Sequence, residues 1–369
     1  MNDLPLYIKS TIYLLLLLII IALLYVGSTF FIPFCIALLL TFLLLPVSAK
    51  LEKWGVAQAL AIVLSIFLAL IVFASLIYFI SSQVMSFTED APALRHNVMQ
   101  KLNGIQNFIS SRFHVDEQKQ ITWIKERLQI IMQSSGSFIS GFFTLTGSIL
   151  AAMGLIPIYI FFLTYYRNKF EQFICKVTKE EQHAQILGIV ERTSKVSAKY
   201  LQGLLIDIAI LSVLNSIGFL LLGLKHAVLL AVIASILNII PYIGVLIGSI
   251  FPVLIALITK DSMWYTAGAA GVCIAVQFLD NNFITPKVVG SSVSINPLAT
   301  LIALIIGGLI WGVAGMMLFI PFLGMLKVIF DNVPSLQPYG YLIGEEKKMK
   351  QPLSLERFKK LSSIIKTKA

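Results

Sequence analysis

Gln277, Asp280 and Asn281 stand at i, i+3 and i+4 in an otherwise apolar run, and Asn282, Thr285 and Pro286 follow them. On a helix that spacing gathers an acid and two amides on one face. Oxygens so placed can coordinate a cation, relay a proton or hydrogen-bond a polar solute. The same residues also suit an interfacial cap, because Asp and Asn commonly end helices and Pro286 would stop this one. A second carboxylate, Asp207, is flanked by Leu204, Leu205, Ile206, Ile208 and Ile210, and Asn215 shares its face approximately. A carboxylate at the centre of a membrane helix costs roughly 2.5 to 3.5 kcal/mol on insertion scales, so one found there faces a cavity or a partner. Reaching interfacial water or pairing with Lys199 is the structural alternative. Asp207 and Asp280 are therefore the candidate proton or cation sites.

A third feature is a break. The uncharged stretch from His226 to Thr259 is interrupted by Asn238, Ile239, Ile240, Pro241, Tyr242, Ile243 and Gly244. As one straight helix it would measure roughly 50 Å, against a hydrocarbon core of roughly 30 Å. Pro241 lacks an N–H and clashes with the preceding turn, while Gly244 and Gly248 loosen the backbone beyond it. Freed peptide groups are tolerated at membrane depth only where protein or a water-filled cavity satisfies them, and such discontinuous helices often form transporter binding sites. Asn238, Pro241, Tyr242, Gly244, Gln277, Asp280, Asn281 and Asn282 are accordingly expected to line a substrate or ion path.

The elements that must hold these residues follow from composition. Hydrophobic residues make up 58% of the chain and charged residues 12%, compared with roughly 25% charged in soluble domains. The chain reads as an all-α, polytopic membrane protein. Charge-free windows run from Ser10 to Ala49, Trp54 to Thr88, Leu128 to Tyr166, Ser262 to Leu279 and Val288 to Leu326. The first is long enough for two helices meeting near Gly27 and Pro33. With the span that carries Asp207, about eight crossings are expected. Transmembrane helices 1 to 3 occupy residues 1–81, and an extramembrane helical hairpin residues 82–141. Helix 4 covers 142–166, a basic cytoplasmic helical loop 167–199, helices 5 to 8 with the broken-helix core 200–330, and a basic tail 331–369.

The hairpin is read from Leu94, Val98, Leu102, Ile105 and Ile109, and from Ile121, Ile124, Leu128 and Ile131, which recur at helical spacing. Phe170, Phe173 and Val177 form a shorter amphipathic stripe suited to the membrane surface. With the N-terminus inside, most of the 28 Lys and Arg residues, Lys260 among them, fall on the cytoplasmic side, and Lys225 and Lys287 fall outside. The net charge of +10 thus reads as a bias toward anionic lipid, with no nucleic-acid partner implied. No small-x-small cleavage site follows the first apolar run, so a signal peptide is not favoured. Cys35, Cys175 and Cys273 imply no disulfide framework, and the four histidines lack ligand spacing, so no metal or cofactor is expected. No span contains a His-Glu or paired-Asp arrangement of a membrane-embedded enzyme. Gly308, Gly312 and Gly315 share one face of the last predicted span and mark it for close helix packing, with the stripe Ala231, Ala234, Asn238 and Pro241 as a candidate partner.

These residues carry a resemblance. Tyr200-Leu201-Gln202-Gly203, Ile240-Pro241-Tyr242-Ile243-Gly244, the run from Gln277 through Asp280, Asn281, Asn282 and Pro286 to Gly290, and Gly307-Gly308 through Gly312, Gly315 and Pro321 resemble the autoinducer-2 exporter family of bacterial membrane proteins, over roughly Ile12 to Gly344. The resemblance implies a transporter of the bacterial inner membrane, and the bias of basic residues places both termini in the cytoplasm. Its partners would be the bilayer and either a small polar solute such as autoinducer-2, a quorum-sensing signal, or a monovalent cation. It further implies a homo-oligomer, with a pentamer as the suggested number. A sodium (lithium)/proton antiporter and a channel-like or structural oligomer are the alternative functions.

Overall fold

The fold was analysed in a computed structural model that describes residues 5–90, 92–94, 96–101, 154–289 and 295–345. The helical hairpin expected beyond residue 101, the first part of helix 4 up to residue 153, Gly290 and the tail from residue 346 lie outside the described residues. Helices α1 (Leu6–Val26), α2 (Ser28–Lys53) and α3 (Gln58–Glu89) open the chain. A short apolar helix, α4 (Gly154–Tyr165), precedes α5 (Arg167–Val177) and the long α6 (His183–Leu221). Next come α7 (Ala227–Leu237), α8 (Ile243–Thr259), α9 (Met263–Leu279), α10 (Thr285–Val288), α11 (Pro297–Asn332) and α12 (Gln337–Ile343). The only pairing of extended backbone among the described residues is the isolated bridge between Ile295 and Gly344.

Gln58–Glu89, Glu180–Leu221 and Met263–Val288 are among six stretches long and apolar enough to cross a membrane. Their outward faces are rich in exposed Leu, Ile, Val and Phe, which in a polytopic protein is the surface that meets lipid. Association in that medium has little hydrophobic drive and depends on small residues that let helices approach. The core around α6 to α9 follows suit, with Ala227, Ala231, Ala256 and Ala269 packed beside Phe219, Leu224, Leu230 and Ile255. Between α1 and α2, Gly27 donates to Leu23 C=O and accepts from Phe31 N–H, both at 2.9 Å, with φ −82° and ψ 12°. The two helices are therefore joined by a bend at one residue rather than by a loop.

The break at Asn238 to Gly244 does more than kink a crossing. A Cβ on Gly248 would lie 3.0 Å from Ala234 Cα, one on Gly244 would overlap the Leu237 carbonyl, and one on Gly223 would lie 3.1 Å from Lys260 Nζ. These pairs define an antiparallel register in which α8 returns along α7. The expected sixth crossing is thus a helical hairpin with both ends at one side. The turn closes by local bonds: Ile240 N–H donates to Leu237 C=O at 3.0 Å, Ile243 N–H to Pro241 C=O at 2.7 Å and Gly244 N–H to Ile240 C=O at 2.9 Å. The bond across Tyr242 is a γ-turn, and Tyr242 takes φ 65° and ψ −58°, a strained conformation for a side chain of this size.

A second reversal lies inside α11, at Trp311 (φ −128°, ψ 17°) and Gly312 (φ 58°, ψ −138°). Beyond it the chain doubles back, so that Gly307 and Gly315 touch through their backbones and Met316 lies against Gly308. Gly308, Gly312 and Gly315 therefore do not form one face of a straight helix. Gly312 supplies the positive φ of the turn, and the other glycines let the two arms meet. At this tip the Trp311 indole N–H donates to Leu24 C=O at 2.9 Å. Ala231 and Ala234 face their own hairpin arm instead of this glycine stripe.

The two hairpins open toward opposite ends of the molecule. The base of α7–α8 is held by Asp90 at the end of α3, which pairs with Lys225 at 2.7 Å and His226 at 2.8 Å. Lys225, and after it His226, hold the Asp90 carboxyl below the usual range. The base of α11 lies at the start of α6, where Gln185 Nε2 donates to Asn332 C=O at 2.7 Å. Lys53 and Arg167 belong to this second end, because Arg167 pairs with Glu52 at 2.5 Å. Relative to the expected topology Lys260 and Lys287 exchange sides. Lys260 joins Lys225, and Lys287 follows α9 to the end where Val288 meets Gly203 of α6.

This geometry makes a direct prediction. Ala227→Cys and Ala256→Cys, introduced together with the native cysteines replaced by Ala, should close a disulfide on mild oxidation, because both side chains lie in one packed cluster. In one continuous helix they would stand roughly 44 Å apart, and a failure to cross-link in folded protein would contradict the hairpin.

Candidate functional site

The hairpin tip delivers Asn238 to a cluster of buried polar groups. Along α6 the buried positions Gly203, Asp207, Leu211, Asn215 and Phe219 recur every four residues, one stripe of a single helix face. Gly203 lets the backbone of Val288 and Val289 approach so closely that an added Cβ would lie 2.7 Å from Val288 C=O. At the other end Gly218 packs on Val272, and Gly268 on Leu222. α6 and the α9–α10 segment therefore run antiparallel in contact over most of their length, which sets Asp207 beside Asp280.

Asp280 does not end its helix. After Leu279 the chain widens into a π-helical turn, Asp280–Ile284, and continues into α10. The wider turn absorbs Pro286, whose ring would clash in a regular α-helix. It also brings Thr285, five residues on, over Asp280. Thr285 Oγ1 donates to Asp280 Oδ1 at 2.6 Å, and Asn238 Nδ2 and Gln277 Nε2 donate to Oδ2 at 3.0 and 3.2 Å. Asp280 is 2% exposed and Asp207 4%. The Asp207 carboxyl lies within hydrogen-bonding reach of Asp280, yet its Oδ1 finds no donor among the described residues. Its neighbour is a second acid, not Lys199.

Two carboxylates side by side in a low-dielectric interior repel strongly, and each desolvated charge is costly. The arrangement is relieved when the pair shares a proton or holds a cation between its oxygens. Asn238, Gln277 and Thr285 satisfy Asp280 and leave Asp207 Oδ1 as the open position.

The sequence-predicted residues thus separate into groups. Asn238, Gln277, Asp280 and Asp207 come together. Asn281 is tied to them through Gln277, whose Nε2 reaches Asn281 Oδ1 at 3.0 Å. Asn282 turns its amide to Phe278 C=O at 2.8 Å, and Tyr242 is largely exposed, so neither contacts the pair. Pro241 and Gly244 shape the tip. Gly308, Gly312 and Gly315 belong to the other hairpin. Thr285 was no predicted ligand, since i+5 falls off the face of an α-helix; Pro286 beside it was the available sign of an irregular turn.

Between α6, the hairpin and α9 lies a cavity of about 30 Å³, lined by Asn215, Ser235, Asn238, Gln277 and Cys273 among others. A larger hollow of about 340 Å³ sits at the hairpin base among Asp90, Asn97, Lys225 and Lys260. It lies on the Asp90 side, remote from the carboxyl pair.

Broken helices around buried carboxyls in a multi-pass membrane protein are a pattern found in membrane transport proteins. The chain belongs to the AI-2E family of transporters, whose profile matches residues 14–335. It is similar to YueF, named as a proposed transport protein of Bacillus subtilis, with 28% identity over 322 residues covering 83% of this chain and 85% of the relative. A proposed transport protein of Haemophilus influenzae is 25% identical over 325 residues, covering 85% and 90%.

Thr285→Val keeps the shape of the side chain and removes the donor to Asp280. Flux in proteoliposomes should slow about tenfold, the order expected for losing one hydrogen bond to a charged group, and Thr285→Ser should stay near wild type. A Thr285→Val protein as fast as wild type would remove Thr285 from the site.

Proposed function

We propose that this protein exports a small polar solute, of the autoinducer-2 type, across the bacterial inner membrane, with the coupling ion carried by Asp207 and Asp280. The observation that carries this reading is the buried carboxyl pair with one oxygen left open at the tip of a helical hairpin. An ion captured there stabilises the hairpin in one position, and its release frees the tip, so binding energy at the pair is converted into movement of α7–α8. A cavity of about 30 Å³ admits a bare ion or water, and an organic solute passes when the tip swings away from α9. The basic residues at the Lys53 end support a cytoplasmic placement of that end, and with it of the segment near Gly344 that pairs with Ile295.

A second reading, sodium (lithium)/proton antiport, is favoured by the same small cavity, since a carboxyl pair alternating between a proton and a cation completes that reaction without an organic solute. A homo-oligomer, a pentamer among the candidate assemblies, is compatible with either reading.

Purified protein in proteoliposomes under an imposed proton gradient distinguishes them, with autoinducer-2 and sodium compared as cargo. Asp280→Asn should abolish coupled flux while the protein remains membrane-inserted and monodisperse. Unchanged flux would remove Asp280 from the mechanism, and a proton-coupled sodium response without autoinducer-2 movement would select the antiporter.

A further inference from the structure

Asn215 lies eight residues beyond Asp207 on α6, roughly 12 Å along the helix. It is 8% exposed, and no described residue hydrogen-bonds its amide. It faces the cavity of about 30 Å³ with Ser235, Asn238 and Gln277. The amide nitrogens of Asn238 and Gln277 are committed to Asp280, and Gln277 also to Asn281. That fixes which amide atom is which and leaves both carbonyl oxygens without a donor. Ser235 gives its hydroxyl hydrogen to Ala231 C=O at 2.8 Å, which leaves its oxygen lone pairs free. With Ser249, whose hydroxyl donates to Leu246 C=O, five lining side-chain oxygens are free to accept, against the Asn215 amide, one Asn238 N–H and the weak Cys273 S–H as donors.

A surplus of acceptors with no carboxylate in direct contact is matched to a cation of single charge, since divalent ions are held by carboxylates. The cavity has room for such an ion with at most one water, because a water needs about 10 to 15 Å³ on this measure. We infer that Asn215, Ser235, Asn238 and Gln277 form a neutral-oxygen station for a small monovalent cation, on the path between the carboxyl pair and the Lys225–Lys260 mouth. The station rests on the transport reading only for its place in a path. It is linked to the pair by geometry, because the amide N–H groups of Asn238 and Gln277 that hold Asp280 leave their carbonyl oxygens for the cavity.

Radiolabelled sodium binding to the purified full-length chain tests the station without transport. Wild type should bind saturably, Asn215→Leu about tenfold more weakly or worse, in line with lost metal-site interactions, and Asn215→Ser, which keeps an oxygen, between the two. Asp207→Asn should retain saturable binding. The inference is overturned if wild type shows no saturable sodium binding, if the Asn215→Leu isotherm superimposes on wild type, or if Asp207→Asn abolishes binding. Should Asn215→Leu elute as aggregate, Asn215→Ser decides, and an affinity equal to wild type overturns the station. Failure of the transport reading looks different: Asp280→Asn flux would be unchanged while these isotherms kept their order.

Discussion

Asp207 and Asp280 impose the condition that the rest of this fold meets. Two acids placed together away from bulk water exclude a second charge unless a proton or cation compensates it. Three donors from three parts of the chain converge on Asp280: Asn238 from the hairpin tip, Gln277 from the preceding turn of α9 and Thr285 from beyond the π-turn. Gly203 serves the same end by letting α6 close on the Val288 backbone. None of these donors reaches Asp207 Oδ1, which has no hydrogen-bond partner among the described residues.

The surrounding architecture ties Asp280 to the tip of a hairpin through Asn238. Two helical hairpins enter from opposite ends, and their arms are held by small residues, Gly248 on Ala234 in one and Gly307 on Gly315 in the other. Such seams bring the two arms of each hairpin into backbone contact. The tip at Tyr242 takes a strained positive-φ γ-turn, and the bond from Asn238 to the Asp280 carboxyl links it to the core. The base of the same hairpin is clamped by Asp90, Lys225 and His226. Motion is therefore expected at the tip and resisted at the base.

Much of this was legible in the sequence. The apolar windows give the principal helices, and the spacing of Gln277, Asp280 and Asn281 marks the polar face. Pro241 and Gly244 announce a break in a helix. They do not say whether the chain continues or returns, because both outcomes need the same loss of an N–H and the same freedom at glycine; only the contact of Gly248 with Ala234 decides it. The glycines around Gly312 were ambiguous in the same way, since i, i+4 and i+7 read as one helical face until a positive φ intervenes. The Asp207–Asp280 contact joins residues far apart in the chain, and no local pattern announces it. Lys260 and Lys287 were placed by counting crossings, so the unrecognised hairpin moved both.

The central claim is that the buried pair holds one compensating proton or cation. Infrared difference spectroscopy of the purified protein in deuterated buffer reads this directly. A protonated-carboxyl C=O band should be present at neutral pH, disappear in Asp207→Asn or Asp280→Asn, and weaken when sodium is added. A spectrum with no such band and no change on adding sodium would contradict the account.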